Sequence, residues 1–177
     1  RILRGESSLR QYADGKFGIG ERFTASLFGE GEVVIRDGMT RWESMVCDAV
    51  EGLRRESGAE WGERRTVLVV STTKGNAGMM VDGGVGEEAY MGASVRKVAR
   101  AVGIDGEAYV VCNACICGVS AMILGKRMIE AGECERAVVV GCDEQSRFIV
   151  SGFMSFKALD EGKCRPFDAE RKGLNLG

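Results

Sequence analysis

Seven cysteines and no histidine set the terms for any nucleophilic chemistry in this chain, and one cysteine stands apart by position. Cys115 falls where the apolar, β-branched run Ala108–Cys112 gives way to good helix formers from Cys115 to Ala131. The first stretch predicts a buried strand. The second predicts a buried helix, apolar on nearly every side, with its first charges at Lys126 and Arg127. A thiol at the first turn of a helix meets free N–H groups and roughly half a positive charge, which favours thiolate over thiol. A sharp strand-to-helix turn also holds the side chain outward at the carboxyl end of the strand, where open α/β folds bind ligands. Cys115 is therefore the candidate nucleophile. Cys112, Cys117, Cys134 and Cys142 read as inert core thiols, the common lot of a cysteine.

Three other patterns carry less. Cys112-Asn113-Ala114-Cys115 has the spacing of a redox dithiol, but in such sites the first cysteine opens the helix, whereas Cys112 reads as part of the strand. Zinc held by Cys112, Cys115 and Cys117 lacks a second Cys-x-x-Cys or a histidine to complete its shell, so no metal is assigned. Gly84-Val85-Gly86-Glu87-Glu88-Ala89 matches a dinucleotide fingerprint, yet the preceding strand ends near Thr72, too far back for the tight turn that fingerprint requires. A surface loop is the better reading there.

The elements that must position Cys115 are legible from periodicity. Thr40 with Glu43 forms a capping box, and Trp42, Met45, Val46, Ala49, Val50 and Leu53 follow helical spacing up to a stop at Gly58. Thr66–Val70 is a strand, Lys74–Gly86 a glycine-rich loop, and Glu87–Val102 a second amphipathic helix closed by Gly103. Gly132 ends the Cys115 helix, and Ala137–Val140 supplies another buried strand, completing a strand–helix–strand crossover of the parallel-sheet kind. Gly152–Asp160 reads as a short helix or turn, and Lys163–Gly177 as a polar loop with a strand at most. Residues 1–38 are irregular around an apolar patch at Phe23–Phe28. The alternation of helix and strand makes the chain α/β.

Composition excludes several classes. With 177 residues, 45% hydrophobic and 28% charged, the chain has the make-up of a globular protein and the length of one ordinary domain. A net charge of −2 offers no footprint for nucleic acid. No apolar run reaches the ~20 residues that span a bilayer, and the first residues lack a signal-peptide core. An odd number of cysteines, placed on predicted strands and helices, fits reduced thiols in the cytoplasm.

Three segments together resemble the β-ketoacyl-[acyl-carrier-protein] synthases, condensing enzymes of the thiolase fold. Asn113-Ala114-Cys115-Ile116-Cys117-Gly118 is similar to their Thr-Ala-Cys-Ala/Ser-Ser/Thr-Gly signature. Gly152-Phe153-Met154-Ser155-Phe156-Lys157-Ala158-Leu159 resembles their Gly-Phe…Ala-Leu segment. Arg165-Pro166-Phe167-Asp168-Ala169-Glu170-Arg171-Lys172-Gly173 resembles their Arg-Pro-Phe-Asp-x-x-Arg-x-Gly motif, in the form typical of the elongating branch. The likeness runs from about Thr40 to Gly177. It implies a thiolase-like layered half-domain with a mainly parallel sheet and a buried central helix beginning at Cys115. Residues 1–177 would then form part of the N-terminal half, without its first strand and without the C-terminal half.

The resemblance also implies roles. Cys115 would be the acylated nucleophile, its backbone N–H one oxyanion donor, and Phe153 would stand beside the acyl pocket or simply in the core. Asp168 and Arg171 would be a structural ion pair. No cofactor is implied; the partner is an acyl carrier protein, and pairing through Ala108–Cys112 would give a homodimer or heterodimer. In the family, two histidines and a lysine from the second half drive decarboxylation of a malonyl donor before Claisen condensation, in fatty acid or polyketide synthesis. Asn113 and Ile116 depart from the signature, and Ile116 would crowd the acyl entrance. The alternative is therefore a non-catalytic thiolase-like partner subunit of the chain-length-factor type. A cysteine redox or metal protein is the third reading.

Overall fold

The computed structural model describes residues 4–13, 15–29, 31–61, 65–81 and 86–177. In chain order the elements are β1 (Arg10–Tyr12), β2 (Phe23–Ala25), α1 (Arg41–Ser57), β3 (Thr66–Ser71), α2 (Ala77–Val81), α3 (Met91–Ala101), β4 (Ala108–Val111), α4 (Cys117–Glu130), β5 (Arg136–Gly141) and α5 (Arg147–Ser155). They fall into two compact units: residues 33–144, and residues 1–32 with 145–177. Part of the Lys74–Gly86 loop and the first two residues of the fingerprint-like stretch, Gly84 and Val85, lie outside the described residues.

In the unit of residues 33–144, β3 lies between β4 and β5 in a parallel sheet, with Leu68 opposite Ala108 and Val138. All six β3 residues are buried, as expected of a central parallel strand covered on both faces. Leu68, Val70, Val138 and Val140 face one way, into a core with Trp42, Val46 and Val50 of α1 and Val95, Val98 and Ala99 of α3. Val67 and Val69 face the other way, onto Ala121 and Met128 of α4. Helices thus cover both faces of the sheet, an α/β arrangement as expected.

Local chemistry explains the boundaries. Thr40 accepts a hydrogen bond from the Glu43 N–H at 3.1 Å, and Glu43 Oε2 accepts from the Thr40 N–H at 2.9 Å, the reciprocal box foreseen for α1. Gly58 closes the helix in a left-handed conformation. Glu43 is fully buried and pairs with Lys97 of α3 at 3.0 Å, while the Thr40 hydroxyl donates to Asn76 Oδ1 at 2.7 Å. Thr40→Ala removes both the cap and the link to Asn76, and should cost about 1–2 kcal/mol. A fall in the urea midpoint with an unchanged m-value checks it; an unchanged midpoint would show that water replaces the cap.

The second helix is shorter than its periodicity suggests. Glu87–Ala89 is a 3-10 turn, and Tyr90 takes an extended conformation before α3 starts at Met91. The helix after β4 differs in two ways. Regular α-helix begins at Cys117, Cys115 lying in a 3-10 turn over Ala114–Ile116. Only the stripe Cys117, Ala121, Gly125 and Met128 is buried, whereas Val119, Met122, Ile123 and Ile129 are exposed. The physical reason is that α4 packs on the sheet with one side alone. Gly125 permits that contact, since a Cβ there would lie 2.9 Å from Ala137 Cβ.

The unit of residues 1–32 and 145–177 has its own core of Ile19, Phe23, Ala25, Ile149, Val150 and Leu176. Its β1 and β2 pair antiparallel, with Tyr12 stacked on Phe23 at 5.6 Å between ring centroids. The helix here, α5, starts five residues before the Gly152 read from sequence. Its N-cap, Ser146, makes no side-chain capping bond, which leaves the start without a local signal. In the last loop the Asp168 carboxylate pairs with Arg165 at 3.2 Å, not with Arg171. Arg171 instead donates to the Asp168 backbone carbonyl at 3.0 Å.

Candidate active site

Because β3, β4 and β5 run parallel, their carboxyl ends share one edge of the sheet, and three connections leave from it. The ladder extends past the strands there: the Thr72 N–H donates to the Val111 carbonyl and the Cys142 N–H to the Ser71 carbonyl, each at 3.1 Å. Small residues keep the edge open. A Cβ at Gly141 would stand 3.3 Å from Ser71 Oγ, and one at Gly118 would stand 4.0 Å from it.

Asp143 ties two of the connections together. Its Oδ1 accepts from the Thr72 hydroxyl at 2.6 Å and from the Thr73 and Lys74 N–H groups at 3.0 and 3.1 Å; its Oδ2 accepts from the Thr73 hydroxyl at 3.0 Å. The Thr72 oxygen in turn accepts from the Gly75 N–H at 2.8 Å. Four donors on one carboxylate fix the turn after β3 against the end of β5. Sequence reading missed this role, although a threonine pair after one strand and an aspartate after its neighbour was the available signal. Next to it, burial raises the Glu144 carboxyl above its usual range, against the pull of Arg41 at 3.4 Å.

The third connection carries the candidate nucleophile. β4 ends at Val111, so Cys112 lies beyond the strand and is exposed, contrary to its reading as a strand residue. The chain then reverses sharply, with Ala114 in the left-handed region at φ 43°, uncommon for a residue bearing a Cβ. The buried Cys117 staples this reversal. Its Sγ accepts from the Asn113 N–H and donates to the Ala114 carbonyl, both at 2.8 Å. The Asn113 side chain donates to Ser120 Oγ at 3.0 Å, tying the turn to the start of α4. Cys115 stands exposed on the outside of the turn. Of the sulfurs considered for zinc, Cys117 is turned inward, and among the described residues no three Cys, Asp or Glu side chains gather as a metal site needs. The arrangement offers a thiol on a hydrogen-bonded, strained turn at the carboxyl edge of a parallel sheet, the edge at which open α/β folds bind ligands.

Phe153 lies on α5, in the other unit, half-buried against the Ile149–Leu176 core. Ile116, next to Cys115, is 58% exposed and makes no part of the core.

Comparison with known proteins identifies the family. Residues 57–177 match the family described as beta-ketoacyl synthase, N-terminal domain. Nodulation protein E of Rhizobium meliloti (strain 1021) is 30% identical over 114 residues, which is 60% of this chain and 28% of that protein. Among solved structures, the ketosynthase (ApeO) in complex with its chain length factor (ApeC) from Xenorhabdus doucetiae superposes with a TM-score of 0.79 at 21% identity. That match takes in 99% of this chain and 50% of that one. The ishigamide ketosynthase/chain length factor gives 0.74 at 25% identity, over 96% and 48%. The chain thus spans half the length or less of these relatives.

Proposed function

The chain belongs to the β-ketoacyl synthase family, and from that premise we propose that Cys115 accepts an acyl group from the thioester of an acyl carrier protein. The observation that carries this reading is the exposed Cys115 on its stapled turn, inside the stretch that matches the family. Sγ attacks the thioester carbonyl, the carbonyl oxygen takes up negative charge, and the carrier thiol leaves, so the acyl group passes to Cys115. Covalent capture of this kind divides one difficult condensation into two easier steps. The Cys115 backbone N–H serves as one donor to the developing oxyanion, worth about 3 kcal/mol in comparable acyl-transfer sites. The family resemblance assigns Phe153 to the lining of an acyl pocket. The second step of the whole reaction is decarboxylative condensation with a malonyl thioester.

That division of labour is testable on the chain itself. Decarboxylation stores charge in an enolate and needs donors and a proton-transfer group suited to neutral pH, which histidine supplies best. The chain contains none. With an acyl thioester it should therefore form the Cys115 acyl adduct, seen by intact mass. With a malonyl thioester alone, release of carbon dioxide should stay at the uncatalysed background. Carbon dioxide above that background would assign the decarboxylation to other residues. Absence of the adduct would favour the non-catalytic partner subunit, the reading that the exposed Ile116 beside Cys115 supports.

Assembly follows the same reading. Among the described residues β4 is an outer strand of its sheet, and the side away from β3 is a template for strand addition. We assign it to pairing with a second thiolase-like chain, identical or related, in a cytoplasmic setting. Ketosynthases of this fold are found with a chain length factor. Light scattering at high protein concentration should report a dimer or larger species, and a clean monomer would count against self-pairing. No helix among the described residues is long and apolar enough to cross a membrane.

A further inference from the structure

Two exposed thiols lie three residues apart around one turn. Cys112 and Cys115 are both exposed, and the third cysteine of the stretch, Cys117, is buried with its sulfur engaged as acceptor and donor. We infer that Cys112 is the resolving thiol of Cys115, so that a hydroperoxide converts the pair into a reversible disulfide that blocks acyl uptake. This rests on the reading of Cys115 as the reactive nucleophile.

The geometry of the turn carries the inference. Across three residues an extended chain separates Cα atoms by about 10 Å, beyond the roughly 4.4–6.8 Å that a disulfide spans. The chain here is not extended. Asn113 leaves the strand conformation at ψ 58°, Ala114 turns left-handed at φ 43°, and the Ile116 N–H returns to the Asn113 carbonyl at 3.1 Å. The departure from extended backbone lies between the two cysteines, so the path from Cys112 to Cys115 is shorter than that of a strand. Because β4 stops at Val111, Cys112 can rotate toward Cys115 without breaking a strand-ladder bond of its own. Within the unit of residues 33–144 the competing thiols are poorly placed. Cys47 and Cys134 are buried, and burial pushes Cys47 up to about 11 and Cys142 up to about 12, which keeps both protonated at neutral pH.

The chemistry balances with a hydroperoxide as oxidant. The Cys115 thiolate attacks one peroxide oxygen, taking it up as a sulfenic acid while hydroxide (or an alkoxide) leaves, and sulfur loses two electrons. The Cys112 sulfur then attacks the sulfenic sulfur, a disulfide forms, and water departs with the Cys112 proton. A dithiol reductant restores both thiols and is itself oxidised to a cyclic disulfide. Without Cys112 the sulfenic acid persists, and a second equivalent of peroxide carries it to sulfinic acid, which dithiol does not reverse.

The test treats the intact chain with hydrogen peroxide at neutral pH and maps its peptides. Expected are a species two hydrogens lighter, a Cys112–Cys115 link, loss of acyl uptake, and full recovery with dithiothreitol. In Cys112→Ser, acyl uptake before peroxide should be unchanged; after it, Cys115 should be trapped by a 1,3-diketone and then lost irreversibly as sulfinic acid. A Cys115–Cys117 link overturns the inference, as does identical oxidation and recovery in the two proteins. If Cys115 is alkylated and acylated normally yet never links to Cys112, this inference alone fails. If Cys115 resists alkylation, acylation and peroxide alike, the reading of it as nucleophile falls, and this inference with it.

Discussion

Cys115→Ser forms no measurable acyl adduct: covalent uptake from an acyl thioester should fall by about 10³-fold or more. The substitution changes one atom on an exposed side chain, so the turn stapled by Cys117 remains as it is. What changes is nucleophilicity. A thiol reaches its reactive anion near neutral pH, whereas a serine hydroxyl needs an adjacent base, usually histidine, and the chain has none. Cys117→Ser tests the opposite role: it leaves the nucleophile but alters the staple, so a partial loss is expected. Mass spectrometry of each variant after the same exposure to thioester measures both. Undiminished labelling of Cys115→Ser would move the acyl site to another residue and overturn the assignment.

Gly106→Ala should cost about 3 kcal/mol or more, lowering the melting temperature by roughly 6–12 °C for a chain of this size. A Cβ at this position would stand 1.9 Å from the Thr66 carbonyl oxygen and 2.9 Å from its carbon. Both neighbours are backbone, so no side chain can swing aside. Relief requires moving the start of β3 or the approach to β4, and the two are joined there by the Leu68 N–H donating to the Glu107 carbonyl at 3.1 Å. Gly152→Ala is the matched control: nothing lies within 4 Å of its Cβ position and it sits within α5, so the change should be neutral or slightly stabilising. Thermal unfolding of the pair separates steric exclusion at Gly106 from a general intolerance of replacing glycine. Equal melting temperatures for Gly106→Ala and wild type would show that the β3–β4 spacing is not as described.

The sheet and the two amphipathic helices were readable because each was written in a local code. Thr40 and Glu43 sit at capping-box spacing, Gly58 and Gly103 supply left-handed stops, and β3 is an unbroken apolar run. The three motifs that resemble ketosynthases lie where the family match falls. What was not legible depends on neighbours distant in sequence. An apolar helix was expected to be buried all round, yet α4 meets the sheet on one stripe only. Cys112 looked like strand because it continues an apolar run, whereas β4 stops where its pairing with β3 stops, at Val111 opposite Ser71. The four donors of Asp143 come from a segment about 70 residues earlier, so its signal shows only once β3 and β5 are known to be neighbours. Arg165, three residues before Asp168, takes the carboxylate expected to pair with Arg171.

The strand order β4-β3-β5 has a consequence for how the chain leaves the ribosome. The central strand is made first. Its partners follow 40 residues later, where Leu68 meets Ala108, and 70 residues later, where Thr66 meets Arg136. At ordinary rates of synthesis the second flank is finished roughly 4–14 s after the centre has been made. Until β4 is made, Thr66-Val67-Leu68-Val69-Val70, short, uncharged and rich in β-branched residues, has two open edges, and until β5 follows it still has one. Lys and Arg at positions 64, 65 and 74 bracket it in sequence, the placement by which charged residues guard such a segment against pairing with other nascent chains.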